Sequence, residues 1–584
     1  MFFCPHKWHV LVLCVLSLLV GVLEAANVAA VYPILSEAFD TGAQESFVLS
    51  LMFDAAGILP IDDPFIAYGV LFLVIAVLAF LANIAAINFR VRLGTRLVEE
   101  NQKSIFNRLM RADYQYFVEH KQGDLIYNTA SAPVSLSTVI NVASQLIGLA
   151  ILIISIMVLL FSISWQGTLA VLFVGVIYYY FIRYLGRAVS YRAGKGEVEA
   201  TREGTVILNE AITGVKQIKA FAAVDGWIDR FNRIMKERWY HFRKRTVWQQ
   251  VPAPILMLVL YLVVGIIAIA IKLLAPGDFM DLIPVFGTFA FAMFRLFPII
   301  GNISNMTMQV IGVLPNVEIM NAMRNELSAG VPDAGKDFPA LNSEIRFEKV
   351  SFGYKGRSRS LEDITFAIRK GEMTAIVGRS GIGKTTIVNL VLGLYQPDKG
   401  EITVDGVDLG EYKLSSWLEK VGFVDQDTFI TNDTIRNNIT FRSNSYSGEE
   451  IVEAARFADA HDFITEMPDG YDTLVGDKGL KLSAGQRQRI AVARAVIRKP
   501  ELLIFDEATN ALDNISEAAV QRAIEQISQN KTVIVIAHRL STVIGADKII
   551  VLGDRKVLEQ GTHQELLDKK GMYWELYRSQ VDDR

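Results

Sequence analysis

Residues 377–386, VGRSGIGKTT, put Gly378, Gly383, Lys384 and Thr385 at the spacing of a phosphate-binding loop. Glycines let such a turn aim backbone N–H groups at an anion, Lys384 can reach the β and γ phosphates of ATP, and the Thr385 hydroxyl can ligate Mg²⁺. Arg379, Ser380, Gly381 and Thr386 complete the loop and the helix start. The flanks suit this chemistry, because TAIV reads as a buried strand and TTIVNLVLGL as a helix whose N-terminus attracts phosphate. Downstream, ELLIFDEATNALD carries a second short apolar strand that ends in Asp506 and Glu507. At the carboxyl edge of an α/β sheet, Asp506 is suited to hold Mg²⁺ and Glu507 to orient or deprotonate an attacking water. A third run, KTVIVIAHRL, ends its strand at His538, within reach of a γ-phosphate. Together these residues point to Mg²⁺-dependent hydrolysis of ATP.

Strands and helices at this spacing call for one large α/β domain, and the chain changes character to supply it. After VPDAGKDFP, residues 331–339, strand-length apolar runs alternate with helical patterns and tight turns. Before it, long apolar runs alternate with charged helical connections. The expected division is a transmembrane domain over 1–330, a linker over 331–340 and a nucleotide-binding domain over 341–584. A hydrophobic content of 51% in 584 residues exceeds what an ordinary soluble protein needs. The net charge of -4 gives no basic surface for nucleic acid. Cys4 and Cys14 have no metal-ligand spacing.

Six segments approach the length of about 20 apolar residues that crosses a bilayer: roughly 10–35, 64–89, 139–161, 166–183, 253–273 and 283–305. The first follows a weakly basic start, but it stays apolar to Ile34 without a clean cleavage site, so it reads as a retained span. The connection from Arg90 to about Ser135 carries seven Lys or Arg, and that from Arg183 to about Thr246 fourteen; the loop from Ser36 to Asp63 carries none and six acids. This asymmetry puts the basic connections, both termini and the nucleotide-binding domain in the cytoplasm. Apolar residues recurring at three and four spacings make both connections long helices that continue the spans.

LKLSAGQRQRIAVARA, residues 480–495, resembles the signature of the ATP-binding cassette family, with LSAGQ where LSGGQ is usual. Tyr354 in FGYKG looks like the family's adenine-stacking aromatic. Gln426 in FVDQD looks like its magnesium-sensing glutamine, and Asp513 in NALD like its dimer-contact aspartate. ADYQYFVEHKQGD and NEAITGVKQIKAF resemble the coupling helices of exporters. The resemblance covers essentially the whole chain and implies an exporter half-transporter, a group that includes lipid-linked saccharide and glycolipid flippases. Its fold would be an all-α six-helix transmembrane domain with long cytoplasmic extensions, followed by an α/β phosphate-loop ATPase domain with a helical subdomain. The family further implies a dimer in which Ser483, Gly485 and Gln486 of one subunit complete the ATP site of the other. Ala484 and Asn510 depart from the usual glycine and serine. Retention of Glu507, His538 and the signature favours a homodimer with two competent sites.

The function expected is export or flipping of an amphipathic or lipid-linked substrate by alternating access, in a bacterial inner membrane. An ATP-gated channel or regulatory membrane protein is the alternative. Glu24 and Arg295 interrupt apolar spans, where a charge is costly unless it meets water, protein or a ligand, so both are candidates for the substrate pathway.

Overall fold

A computed structural model describes residues 7–29, 60–163, 165–274, 279–327, 335–354, 359–506, 531–537 and 543–582, with isolated positions at 54, 57 and between 518 and 528. The chain divides into two compact units. One comprises Met1–Ala112 and Tyr116–Gly330, the other Asp113–Gln115 and Val331–Arg584.

The first unit is helical. Its long apolar helices are α1 (Lys7–Ala29), α2 (Pro64–Met110), α4 (Ser135–Ile163), α5 (Trp165–Leu185), α8 (Pro252–Leu274) and α9 (Phe279–Glu326); the short α3 (Gln122–Ile126) follows α2, and α6 (Arg192–Thr213) and α7 (Val224–Gln250) lie between α5 and α8. Asp63 starts α2 by accepting hydrogen bonds from the N–H groups of Phe65 and Ile66, at 3.0 and 3.3 Å, with Pro64 pre-set for the first helical position. At 47 residues α2 is about 70 Å long, roughly twice the hydrocarbon thickness of a bilayer. Its basic C-terminal half is therefore a rod outside the membrane. The helix α9 runs unbroken through Pro298 for 48 residues.

Outside the apolar spans, the rods are buckled together by polar contacts. Arg202 of α6 pairs with Asp124 of α3 at 2.9 Å, and Asn209 donates to Gln122 at 3.3 Å. Between these contacts the backbones almost touch: a Cβ on Gly123 would lie 2.6 Å from the Val206 Cα. Glu197 of α6 and Arg245 of α7 form an ion pair at 2.8 Å with less than a fifth of either side chain exposed. Tyr127 donates to Asn316 of α9 at 2.9 Å, and Asn316 donates to Ser135 at 2.8 Å. Single π-helical turns interrupt the helical runs at Tyr127–Ser131 and Gly186–Tyr191.

The second unit holds two sheets. In the smaller, β1 (Glu344–Gly353) is antiparallel to β2 (Arg359–Arg369) and to β4 (Lys399–Val404), which continues into β5 (Val407–Asp408). The larger has the order β10-β9-β3-β8-β7-β6, built from β3 (Met373–Gly378), β6 (Val421–Val424), β7 (Leu502–Asp506), β8 (Thr532–Ile536), β9 (Lys548–Gly553) and β10 (Lys556–Gly561). Both faces of its central strands are covered. Leu503, Phe505, Val533 and Val535 enter one core, whereas Leu502, Ile504, Ile534 and Ile536 enter another. A strand alternates its side chains between faces, so burial on both produces the uninterrupted apolar runs seen in the sequence.

The segment expected as a linker is partly a strap on this unit. Phe338 is buried against Tyr412 and Trp417, with ring centroids at 5.2 and 4.9 Å, and its N–H donates to Ser416. From Asp113–Gln115, Tyr114 packs edge-on against Tyr395 at 5.7 Å.

The close approach at Gly123 yields a direct expectation. Gly123→Ala drives a methyl group into backbone, an overpacking that costs about 1–3 kcal/mol, whereas Gly226→Ala in α7 enters open space. Thermal unfolding of the detergent-purified protein should show a lower midpoint for Gly123→Ala and no decrease for Gly226→Ala. Equal midpoints would mean that the α3–α6 junction does not constrain the first unit.

Candidate nucleotide site

Five strands of the larger sheet, β6, β7, β8, β3 and β9, run parallel. Their carboxyl ends therefore leave the sheet along one edge, where a ligand can meet residues from several loops. The phosphate loop follows β3, Gln426 lies two residues beyond β6, and Asp506 is the last residue of β7. Sequence-distant residues thus share one edge.

The loop passes from β3 into α10 (Lys384–Val391) through glycines. Gly381 and Gly383 have φ of +77° and +111°, values that L side chains rarely adopt. At Gly383 space is also short, since a Cβ would lie 2.7 Å from Leu361 Cδ2. Lys384 is buried and its Nζ donates to the Gly378 carbonyl at 2.8 Å, so its charge is held against the loop. Arg379, Ser380, Gly381 and Thr385 are exposed, Gly378 is partly exposed, and Thr386 is buried. The Thr386 hydroxyl meets the Tyr354 hydroxyl at 3.2 Å, and the Tyr354 ring packs edge-on against Phe352 and Tyr395 at 5.1 and 5.5 Å. This fixes Tyr354 beside the loop.

Asp506 is 2% exposed and Gln426 is exposed. Thr385, Gln426 and Asp506 offer a hydroxyl, an amide and one carboxylate, the hard oxygen donors that suit Mg²⁺ when phosphate oxygens and water supply the remaining ligands. Asp506 thus brings a single protein charge. Glu507, Asn510, Asp513 and His538 lie outside the described residues, although β7 and β8, which lead to Glu507 and His538, are described.

The signature opens the helix α13 (Ala484–Ile497); before it come α11 (Ile435–Thr440) and α12 (Gly448–Phe457). Ser483 caps α13 by accepting from the Gln486 N–H at 3.2 Å, while the Gln486 side chain accepts from the Ser483 N–H at 2.9 Å. Gly485 is buried. Ala484 is the first helical residue and has a negative φ, so its methyl group is accommodated without backbone strain.

Sequence reading missed the residues that hold this helix to the Gln426 loop. Thr428 donates to Gln488 at 2.6 Å, and Arg494 donates to the carbonyls of Phe429 and Asn438 at 2.7 Å each. Burial pulls the Arg494 guanidinium down to about 10, which leaves it charged at neutral pH. No local signal marked them: Gln488 and Arg494 are six residues apart, about 120° around the helix, and share it with Gln486, Arg487 and Arg489. In the first unit Glu24 is half-buried on α1, and Arg295 falls on α9 with its side chain outside the described residues.

Two substitutions separate strained from tolerant positions. Gly383→Ala should weaken binding of a fluorescent ATP analogue by roughly tenfold or more, because it adds both a clash and an unfavourable φ worth about 1–3 kcal/mol. Ala484→Gly should leave ATP turnover within about fivefold, the cost of a helical glycine being under about 1 kcal/mol. Normal nucleotide binding by Gly383→Ala would remove the loop from its assigned task.

Comparison with known proteins agrees with both units. Residues 10–297 match the family model for the ABC transporter transmembrane region, and residues 361–510 match the ABC transporter model. The heterocyst differentiation ATP-binding protein HepA of Nostoc sp. is 36% identical over 83% of this chain and 79% of its own length. An ATP-dependent lipid A-core flippase of Shewanella denitrificans is 32% identical over 98% of this chain and 96% of its own. The fold is that of a bacterial Atm1-family ABC exporter solved with ATP bound, at TM-score 0.80, 24% identity and 98% of both chains. With a helical membrane unit, a phosphate loop on a parallel sheet edge and relatives along nearly its full length, the chain belongs to the ABC transporter family, as a half-transporter of the exporter type.

Proposed function

We propose that this protein uses ATP hydrolysis to flip or export an amphipathic, lipid-linked substrate across a bacterial inner membrane, working as a homodimer. The observation that carries the reading is the joining, in one polypeptide, of an exporter-type helical region to a phosphate loop whose lysine is already seated at 2.8 Å on the loop backbone. The lipid substrate is supported by the full-length likeness to lipid A-core flippases.

In the proposed cycle, Lys384 and the loop N–H groups hold the β and γ phosphates, and Tyr354 stacks on the adenine. Thr385, Gln426 and Asp506 hold Mg²⁺, which when bound offsets the phosphate charge. Gly378, Arg379, Ser380, Gly381, Gly383 and Thr386 shape or line the loop. Ser483, Gly485 and Gln486 of the other subunit close over the nucleotide. Glu507 accepts a proton from the attacking water and His538 contacts the γ-phosphate. Closure stabilises one arrangement of the helical rods and hydrolysis releases it, so the two states differ in nucleotide affinity as a switch requires. With the basic rods, the nucleotide-binding domain and both termini in the cytoplasm, Glu24 and Arg295 lie on the pathway. There Arg295 engages an anionic part of the substrate or an acid such as Glu24.

Glu507→Gln should bind ATP near normally while phosphate release falls by about 10²- to 10⁴-fold, because the amide cannot accept the proton of water. Measuring both on one preparation checks this, and near-normal turnover would contradict the assignment. At Arg295, Lys and Met replacements of equal insertion and dimerisation separate charge from bidentate recognition. Arg295→Met should lose transport of anionic lipids with basal ATPase retained, while Arg295→Lys keeps activity only if charge alone matters. Equal transport by all three would return Arg295 to a structural role.

A further inference from the structure

The signature helix α13 grips the loop after β6 through two side chains of different character. Arg494 bridges the Phe429 and Asn438 carbonyls, and the Asn438 amide in turn binds Thr431 through its N–H at 2.9 Å and its carbonyl at 3.0 Å. The Arg494 guanidinium also sits over the Phe441 ring at 5.0 Å. This part of the grip is a half-buried, multiply bonded anchor.

Gln488 makes a different kind of contact. It is 6% exposed, its Oε1 accepts from the Thr428 hydroxyl at 2.6 Å, and its Nε2 has no hydrogen-bond partner among the described residues. Leaving half of a buried amide unpaired is costly, so the one bond that the amide makes fixes its orientation. The contact is placed where motion matters. Thr428 is two residues past Gln426 on a short exposed loop, and Gln488 is five residues past Ser483, about 7.5 Å along the same helix. Beside the Arg494 anchor, the Thr428–Gln488 hydrogen bond therefore joins the loop of one candidate Mg²⁺ ligand to the helix that Ser483 caps.

We propose that Gln488 is a positioning residue for ATP hydrolysis. Through Thr428 it ties the set of the Gln426 loop to that of the Ser483 helix start, so that Mg²⁺–ATP on one subunit orients the signature it offers to the other. Gln488 touches neither nucleotide nor metal. Its effect falls on turnover, because the phosphate loop binds ATP without it. The inference rests on the proposed roles of Gln426 and Ser483.

The test uses the full-length dimer in liposomes and compares Thr428→Val, Gln488→Met, their double variant and Thr428→Ser. Val and Met keep volume and remove the bond, whereas Ser keeps the hydroxyl. Expected are a fall in kcat for Mg²⁺–ATP of roughly tenfold for either single variant, KM for ATP within about twofold, and a double variant no worse than the singles. Thr428→Ser should keep most of the wild-type rate, and the thermal midpoints should match. Wild-type kcat in Thr428→Val, multiplied losses in the double variant, or a rise in KM without loss of kcat would overturn the proposal. Wild-type protein unable to hydrolyse Mg²⁺–ATP would instead overturn the underlying reading of the site.

Discussion

The parallel run of β6, β7, β8, β3 and β9 is the constraint on which the rest depends. A parallel sheet sends every strand end to one edge and demands covered faces, so the loops that follow those strands converge while their strands vanish into the core. That geometry brings a glycine turn, a glutamine and an aspartate, separated by up to 128 residues between Gly378 and Asp506, to one rim. Lys384 shows the consequence at atomic scale. Its ammonium is buried yet seated on the Gly378 carbonyl, a charge kept in place by the turn proposed to receive phosphate.

The helical unit meets a different demand. Rods that continue membrane spans into water must stay together where no lipid presses on them, and this chain does it with close backbone approaches flanked by polar bonds. Gly123 against Val206 sits between the Asp124–Arg202 and Gln122–Asn209 contacts, and Glu197–Arg245 ties α6 to α7. Partly buried ion pairs of this kind must offset the cost of taking two charges out of water, so their presence is weak evidence of added stability. Packed rods with discrete contacts can switch between arrangements, as alternating access requires.

Local pattern made much of this legible. The shift from long apolar runs to short ones, and the strand, glycine turn and helix around Lys384, follow from periodicities that depend on near neighbours alone. Legibility stopped where contacts join distant positions. Gln488 meets Thr428 across 60 residues, and Asn316 meets Tyr127 across 189, distances over which no spacing rule operates. Phe338 illustrates a subtler limit: VPDAGKDFP has the composition of a linker, yet one aromatic finding Trp417 and Tyr412 fastens it to the second unit. At Ala484 the sequence departs from its family, and only the backbone shows why a methyl group is tolerated there, on a helical residue with negative φ.

Export and gated permeation differ in one measurable respect, the ability to build a gradient. The most direct test reconstitutes the full-length protein in sealed liposomes with a fluorescent acidic glycolipid distributed equally between leaflets, then adds Mg²⁺–ATP outside and follows leaflet asymmetry by a membrane-impermeant quencher. An ATP-driven flippase generates asymmetry that grows with ATP and collapses when ATP is removed and the label re-equilibrates. Hydrolysis that leaves the leaflets equal for this lipid and for a panel of other amphipathic lipids and solutes would contradict the assignment.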